Sequence, residues 1–218
     1  MRTLVLSAHA DDAQIALGGT IVRLLEEESH EIYYVGLSIC EESVPKEFPP
    51  DILDLECRKV CAELAIPANN VEIKRYKVRH FPSMRQEILD DLIELRGRIN
   101  PEIVFIPSTS DIHQDHAVLA SEAIRAFRRQ CSLYGYDFPW NVLQTSTLNL
   151  FVELTESHLT RKIMALSNLK SQLEKENNCL TEEYLRSLAV ERGNRIGARF
   201  AEALEVIREV KRAAHGLF

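Results

Sequence analysis

Residues 3–15 read Thr-Leu-Val-Leu-Ser-Ala-His-Ala-Asp-Asp-Ala-Gln-Ile. The first six (TLVLSA) form a short β-competent run that stops at polar residues, as a strand buried on both faces does. From Ile15 the spacing turns helical, with Ile15, Val22 and Leu25 on one face and Glu26-Glu27-Glu28 closing it. The same alternation repeats outward. A strand is expected over 31–38 (EIYYVGLS), then a loop with Pro45, Pro49 and Pro50, and a helix over 52–64. Residues 71–78 read as a strand and 84–99 as a helix carrying Ile88, Leu92 and Leu95 on one side. A fully apolar strand follows over 103–106 (IVFI) and another helix over 115–129. Strands alternating with helices predict βαβ units, hence an α/β, Rossmann-like, mostly parallel sheet with helices on both faces. Right-handed crossovers then line the carboxyl ends of the strands along one edge, where open sheets bind ligands.

Beyond Phe138-Pro139-Trp140 the pattern changes. Residues 142–154 alternate polar and apolar like a half-exposed strand, 156–168 and 181–199 are helical, and 203–210 read as a strand rather than a helix. We therefore expect one domain over 1–218: a Rossmann-like core over 1–135 and a smaller C-terminal extension over 136–218 that completes the cleft.

Composition narrows the function. Of 218 residues, 45% are hydrophobic and 27% charged, which is globular, and a chain of this size buries roughly 70% of its unfolded surface. It needs neither disulfide nor metal merely to fold. The net charge of −7 argues against a nucleic-acid binder and against a polybasic membrane-surface protein. No apolar run approaches the roughly 20 residues of a membrane span, and the start lacks the apolar core of a secretory signal. Five scattered cysteines then suit a reducing cytoplasm. Cys57 and Cys61, four apart on a helix, read as small core residues before they read as metal ligands, since no second Cys or His pair stands near them.

The chemistry lies in two polar clusters. Ala8-His9-Ala10-Asp11-Asp12 follows the first strand, and Asp111-Ile112-His113-Gln114-Asp115-His116 follows the fourth. Both fall at strand ends, so they can meet across the switch-point crevice. His9 and Asp12, three apart in a turn, can converge on one ion, with a histidine of the second cluster completing the set. That leaves Asp11 as a general base and one imidazole as an oxyanion donor, the parts of metal-assisted amide hydrolysis. Zinc suits such a set, and two histidines with one carboxylate also suit iron(II). The plain reading makes Asp11-Asp12 a turn with a helix cap and Asp111 a second cap. In that case the sheet edge is a non-catalytic nucleotide- or sugar-binding module. No G-x-G-x-x-G, P-loop or G-x-S-x-G motif is present, and Gly18-Gly19 reads as close helix–sheet packing.

On these blocks the chain resembles the LmbE-like (PIG-L) family of zinc-dependent N-deacetylases, which carry A-H-P-D-D-E after the first strand and H-x-x-H later. The similarity runs from Thr3 to about Val210, including Gly18-Gly19-Thr20, Lys170-Ser171-Gln172 and Ala201-Glu202-Ala203. It implies that His9, Asp12 and His116 hold the metal and that Asp11 is the base. It further implies that His113 polarises the carbonyl, oriented by Asp115. Ala10 replaces the family's Pro, and Ala13-Gln14 leave no carboxylate after Asp12. Members remove acetyl from N-acetylglucosamine on varied carriers, so the implied partner is a small amino-sugar substrate. N-formyl or carbamoyl hydrolysis would use the same parts, and relatives are often homo-oligomers.

Substrate contacts are less marked. By the resemblance Arg58 binds substrate, against the alternative of a surface salt bridge. Trp140, the one Trp, has a face that suits a sugar ring, with core packing as its competitor. The basic run over 74–80 (KRYKVRH) reads as a solvated strand before it reads as a phosphate contact. Arg192 and Arg195 line either the cleft or a subunit interface. His30, His80, His158 and His215 lack partners at ligand spacing and read as structural or surface residues.

Overall fold

Leu4, Val5 and Leu6 are wholly buried because helices cover both faces of the strand they occupy. Val5 packs with residues such as Ile15, Ile21 and Val60 on one side, while Leu4 and Leu6 pack with Leu92, Leu119 and Phe127 on the other. In a computed structural model, residues 1–27, 30–143, 148–175 and 180–211 are described. The chain runs β1 (Arg2–His9), α1 (Asp12–Glu26), β2 (Glu31–Ser38), α2 (Ile52–Glu63), β3 (Val71–Ile73), α3 (Arg85–Ile99), β4 (Ile103–Pro107) and α4 (Gln114–Phe127). It continues with β5 (Ser132–Tyr136), β6 (Leu150–Leu154), α5 (Glu156–Leu166), α6 (Lys170–Leu173), α7 (Glu182–Asn194) and β7 (Phe200–Arg208).

The strands form one sheet in the order β3-β2-β1-β4-β5-β7-β6. The first five are parallel, and β7 runs antiparallel to both its neighbours. The α/β, mostly parallel architecture is thus the expected one. Strand order reverses between β1 and β4, so the segments after these two strands open onto one crevice. Among the described residues no helix is long and apolar enough to cross a membrane.

Several boundaries differ from the sequence reading. The strand expected over 71–78 ends at Ile73, and the basic run that follows is a loop. A fifth parallel strand, Ser132–Tyr136, was not anticipated: it is short and carries Gly135, a residue that weakens a strand pattern. Gly135 is needed there because an added Cβ would come within 3.1 Å of Ser108 Cα. Of 142–154 only Leu150–Leu154 is a described strand; Val142 pairs singly with Asp111, and 144–147 fall outside the described residues. The last strand begins at Phe200, earlier than position 203, and the helix before it ends at Asn194.

Two buried ion pairs hold the C-terminal part, and the carboxylate of one also fastens it to α1. Lys162 Nζ meets Glu202 Oε1 at 2.6 Å, and Glu202 also accepts the Gly19 and Thr20 N–H groups of α1. A Cβ on Gly18 would lie 2.8 Å from Lys162 Cγ, so this glycine admits the lysine stem against the helix. Arg192 meets Asp137 at 2.6 Å just beyond β5. It is buried away from the cleft, and Arg195 lies over the Phe151 ring at 5.4 Å. Neither arginine lines the cleft.

Candidate metal centre

The turn between β1 and α1 is built from its own polar atoms. Ser7 Oγ accepts the Ala13 N–H (3.0 Å), and Asp12 Oδ2 accepts the His9 N–H (2.7 Å). Ala10 donates its N–H to Ser38 O (2.8 Å), a bond that proline cannot make, while Tyr34 Oη donates to Ala10 O (2.7 Å). These bonds supply the rigidity that a ring would give. Gln14, where no carboxylate follows Asp12, donates its buried amide to Cys57 O (3.0 Å) and contacts Cys61 Sγ (2.9 Å). Cys57 and Cys61 are therefore core residues packed on α1.

Asp11 occupies the cap position of α1, but its side chain caps nothing and lines the cleft. Beside it three donor atoms form a near-equilateral triangle. His9 Nδ1 to Asp12 Oδ2 is 3.2 Å, Asp12 Oδ2 to His116 Nε2 is 3.1 Å, and His116 Nε2 to His9 Nδ1 is 3.3 Å. Ring nitrogens of His9, His113 and His116 also lie within 4.8 Å of one another, a group able to hold a metal ion.

The far side of each ring is held by a carboxylate, the arrangement that fixes tautomer and aim in metal-ligating histidines. His9 Nε2 meets Asp115 Oδ2 at 3.1 Å, and His116 Nδ1 meets Asp111 Oδ2 at 2.7 Å. The Asp115 carboxylate is thus turned to His9 and not to His113, and it also accepts the Arg79 and Phe81 N–H groups (2.6 and 3.3 Å). What reaches His113 is the Asp115 backbone, whose N–H donates to His113 Nδ1 at 3.2 Å. Asp111 takes the His113 N–H (2.8 Å), but the cap of α4 is His113 itself, so Asp111 is not the expected helix cap; it is the partner of His116, a role that reading missed. Its place five residues before His116, at a strand–helix junction, was the available signal.

Electrostatics follow from this crowding. Burial pushes the Asp11 carboxyl up, and neighbouring Asp12 adds to it, to about 6. Burial acts the same way on Asp12, but His116 and His9 outweigh it and hold Asp12 well below its ordinary value. Burial opposes charge on His9 and His116, yet Asp12 with Asp115 or Asp111 raises both, His116 to about 9. His113, half-buried and facing those two rings, is pulled down by its partial burial and by their charge. The pocket favours positive charge where the triangle lies, as a cation site does.

The cleft above measures about 370 Å³, within the range of small-ligand sites. Trp140 is half exposed at its edge and stacks on Phe138 (centroids 5.1 Å apart), which in turn lies 5.8 Å from His116. Trp140 is therefore cleft wall, not core. Arg58 is not in the cleft: it is exposed, pairs with Asp54 at 2.7 Å on α2, and borders a separate depression with Pro49 and Leu55. Arg79, Asn141, Gln172 and Lys175 line the cleft instead. Of the remaining histidines, His30 bonds Thr3 (2.8 Å) and His158 bonds Glu26 (2.8 Å), both structural; His80 is exposed, and His215 lies outside the described residues.

An open α/β sheet with two His/Asp clusters meeting at its switch point defines a Rossmann-like protein with a metal-competent cleft. Residues 4–127 match the PIG-L family, described as GlcNAc-PI de-N-acetylase, and this chain belongs to that family. It is 24% identical over 225 residues to the diacetylchitobiose deacetylase of Thermococcus kodakarensis, covering 94% of this chain and 83% of that protein. Among solved structures it is similar to the N,N'-diacetylchitobiose deacetylase from Pyrococcus horikoshii (TM-score 0.78, 21% identity, 94% of this chain and 83% of that one). It is also similar to the 4-carboxy-2-hydroxymuconate hydratase from Pseudomonas putida KT2440 (TM-score 0.74, 21% identity, 100% of both chains).

Proposed function

We propose that this chain is a metal-dependent hydrolase that removes the N-acetyl group from an amino sugar or amino-sugar conjugate. The observation that carries the reading is the His9–Asp12–His116 triangle with an uncommitted Asp11 beside it. Ligands at bonds of roughly 2.0–2.1 Å stand about 3.3–3.4 Å apart around a tetrahedral ion and about 2.8–3.0 Å apart on an octahedral face. Separations of 3.1–3.3 Å suit either, so zinc and iron(II) both fit the donor set. We assign zinc, which hydrolysis favours because no redox step is involved. His113 is left out of the ligand set because its Nδ1 already accepts an N–H, which puts the proton of the neutral ring on Nε2.

A divalent cation on those three ligands would supply Lewis acidity and lower the pKa of water. Asp11 takes a proton from the attacking water as its oxygen bonds the acetamido carbon. His113 Nε2–H donates to the carbonyl oxygen as negative charge gathers there. Asp11 then returns the proton to the nitrogen as the C–N bond breaks, leaving acetate and a free amine. Trp140 and Phe138 offer a flat apolar wall to the sugar ring. On the same reading the partner is a small molecule, the compartment is the cytoplasm, which suits the four buried thiols among the described residues, and homo-oligomerisation falls to the C-terminal part.

A second reading, hydration of an unsaturated carboxylate, is favoured by the full mutual coverage with the hydratase. The test is free-amine release from N-acetylglucosamine and its conjugates by metal-replete protein, with and without a chelator. We expect chelation to abolish release and zinc to restore it. Metal-replete protein that frees no amine from any conjugate, but removes the ultraviolet absorbance of an unsaturated dicarboxylate, would overturn the assignment. A purified protein without metal, whose ligand binding ignores His116→Ala, would point to a non-catalytic module.

A further inference from the structure

Glu202 and Glu205 stand three apart on β7, so their side chains leave opposite faces of the sheet. Glu202 is matched by Lys162, whereas Glu205 is buried and forms no ion pair among the described residues. Its carboxylate ends instead on the turn that leaves β4. Oε2 accepts from Ser108 Oγ (2.9 Å) and from the Thr109 N–H (3.0 Å), and Oε1 accepts from Thr109 Oγ1 (2.6 Å). Bonds of this kind are short and strong, because the acceptor carries charge.

Gly135 makes this reach possible. β7 pairs with β5, where Glu205 lies opposite Gly135, and β5 pairs in turn with β4. A Cβ at position 135 would stand 3.0 Å from Glu205 Oε2 and 3.1 Å from Ser108 Cα. The glutamate thus crosses β5 through the space that its glycine leaves empty.

The turn it grips delivers the second polar cluster. The Ser108 N–H donates to Tyr136 O (2.6 Å), Ser108 Oγ accepts the Ser110 N–H (3.2 Å), and Ser108 O accepts the Asp111 N–H (3.2 Å). The far end is tied by Ile112, whose N–H donates to Asn141 O (3.0 Å). Between these ties stands Asp111, buried, with Oδ2 on His116 Nδ1 (2.7 Å) and Oδ1 on the His113 N–H (2.8 Å). Asn141 Nδ2 adds only a long contact to Oδ2 (3.4 Å). A shift of the turn therefore rotates the His116 ring, and with it the Nε2 atom that faces Asp12 and His9 (3.1 and 3.3 Å).

We propose that Glu205 is a positioning residue: reaching over Gly135, it holds the turn 108–111 and so sets the aim of His116 through Asp111. Its effect on metal rests on the metal-dependent reading of the site, whereas its effect on the ring does not. Losing a partner that orients a metal ligand weakens metal binding by roughly 10- to 100-fold. Glu205 acts one step further out than Asp111, so the low end of that range, about tenfold, is expected.

The test follows the His116 ring and zinc separately. In metal-free protein carrying isotope-labelled histidine, the Nδ1–H resonance of His116 is assigned by its absence from His116→Ala. The bond to Asp111 protects that proton from exchange, so the wild type should show it far downfield. Glu205→Ala removes all three acceptors; it should lose the resonance and bind zinc about tenfold more weakly in competition with a chelator. Glu205→Gln keeps the shape and a carbonyl acceptor, and should retain the resonance and most of the affinity. Thr109→Val removes one donor at nearly equal volume and should give a milder loss in the same direction, so it stands in if Glu205→Ala does not fold. Lys162→Met, which disturbs the other β7 carboxylate, is the control and should move neither readout. An unchanged resonance and zinc affinity in folded Glu205→Ala, or in Thr109→Val where Glu205→Ala fails to fold, would overturn the proposal. An equal loss in Lys162→Met, or a wild type with no protected Nδ1–H, would overturn it as well. Loss of the resonance in Glu205→Ala, in a protein that binds no zinc even as wild type, would keep the positioning role and sink the metal-dependent reading.

Discussion

The parallel half of the sheet and the C-terminal part both bury charge, but in different ways. At the carboxyl ends of β1 and β4, His9, Asp11, Asp12 and His116 crowd together with donor atoms turned towards one another and towards the cleft. Between α5, β7 and α1, Lys162 and Glu202 meet as one closed pair whose carboxylate also satisfies two helix N–H groups. The first network leaves its charge available for an outside partner, and the second consumes its own. On the proposed function this division separates residues that act from residues that hold, and we expect each to be disturbed without the other.

The largest expected effect is in the first network. Asp11→Asn should lower turnover by roughly 10²- to 10⁴-fold, since it removes the proton acceptor without touching a ligand. Its metal content by elemental analysis should equal that of the wild type. His116→Ala should instead lose both metal and turnover. An Asp11→Asn protein that binds metal and turns over near the wild-type rate would break the assignment of the acting residues.

The second network should answer in stability. Glu202→Ala leaves a buried ammonium and two helix N–H groups without an acceptor, so we expect a loss of about 3–5 kcal/mol in urea unfolding. Lys162→Met keeps the apolar stem against Gly18 and leaves Glu202 still bonded to Gly19 and Thr20, so its cost should be smaller, about 1–3 kcal/mol. Both folded variants should keep their metal. Because α1 carries Asp12 at one end and receives Glu202 in its middle, metal loss in Glu202→Ala would show that the two networks are not separable.

The parallel half was also the more legible half in sequence. Strands buried on both faces produce unbroken runs such as IVFI, and helices of one apolar stripe keep a 3.6-residue period. Even there β5 escaped notice, because Gly135 serves a packing contact that only the folded sheet reveals. The C-terminal part pairs β7 between β5 and β6, and no local period announces such partners. At the site, residue types at strand ends were enough to nominate His9, Asp11 and Asp12 with one histidine of the second cluster, and the family resemblance chose His116. Which carboxylate faces which ring was not readable, since the crossing of Asp115 to His9 spans 106 positions of chain. Within the basic run over 74–80 no local period separates Arg79 from its neighbours; its left-handed turn and its place in the cleft do so only in the fold.

The smallest expected effect falls on Arg58, where sequence resemblance and structure part company. The resemblance makes it a substrate contact, whose loss would raise KM by an order of magnitude or more. In the structure its side chain is 46% exposed, bonds Asp54 one helical turn away, and borders a depression that shares no residue with the cleft. An exposed i,i+4 pair contributes about 0.5 kcal/mol or less. Arg58→Ala should therefore shift the urea midpoint barely and change kcat/KM less than about twofold. Arg79→Gln measured beside it provides the contrast, since each substitution removes one arginine charge but Arg58 stands on α2 outside the cleft while Arg79 follows β3 and lines it. A tenfold rise in KM for Arg58→Ala at unchanged kcat would mean that α2 turns this face towards bound substrate, and the line drawn here between cleft and surface would have to move.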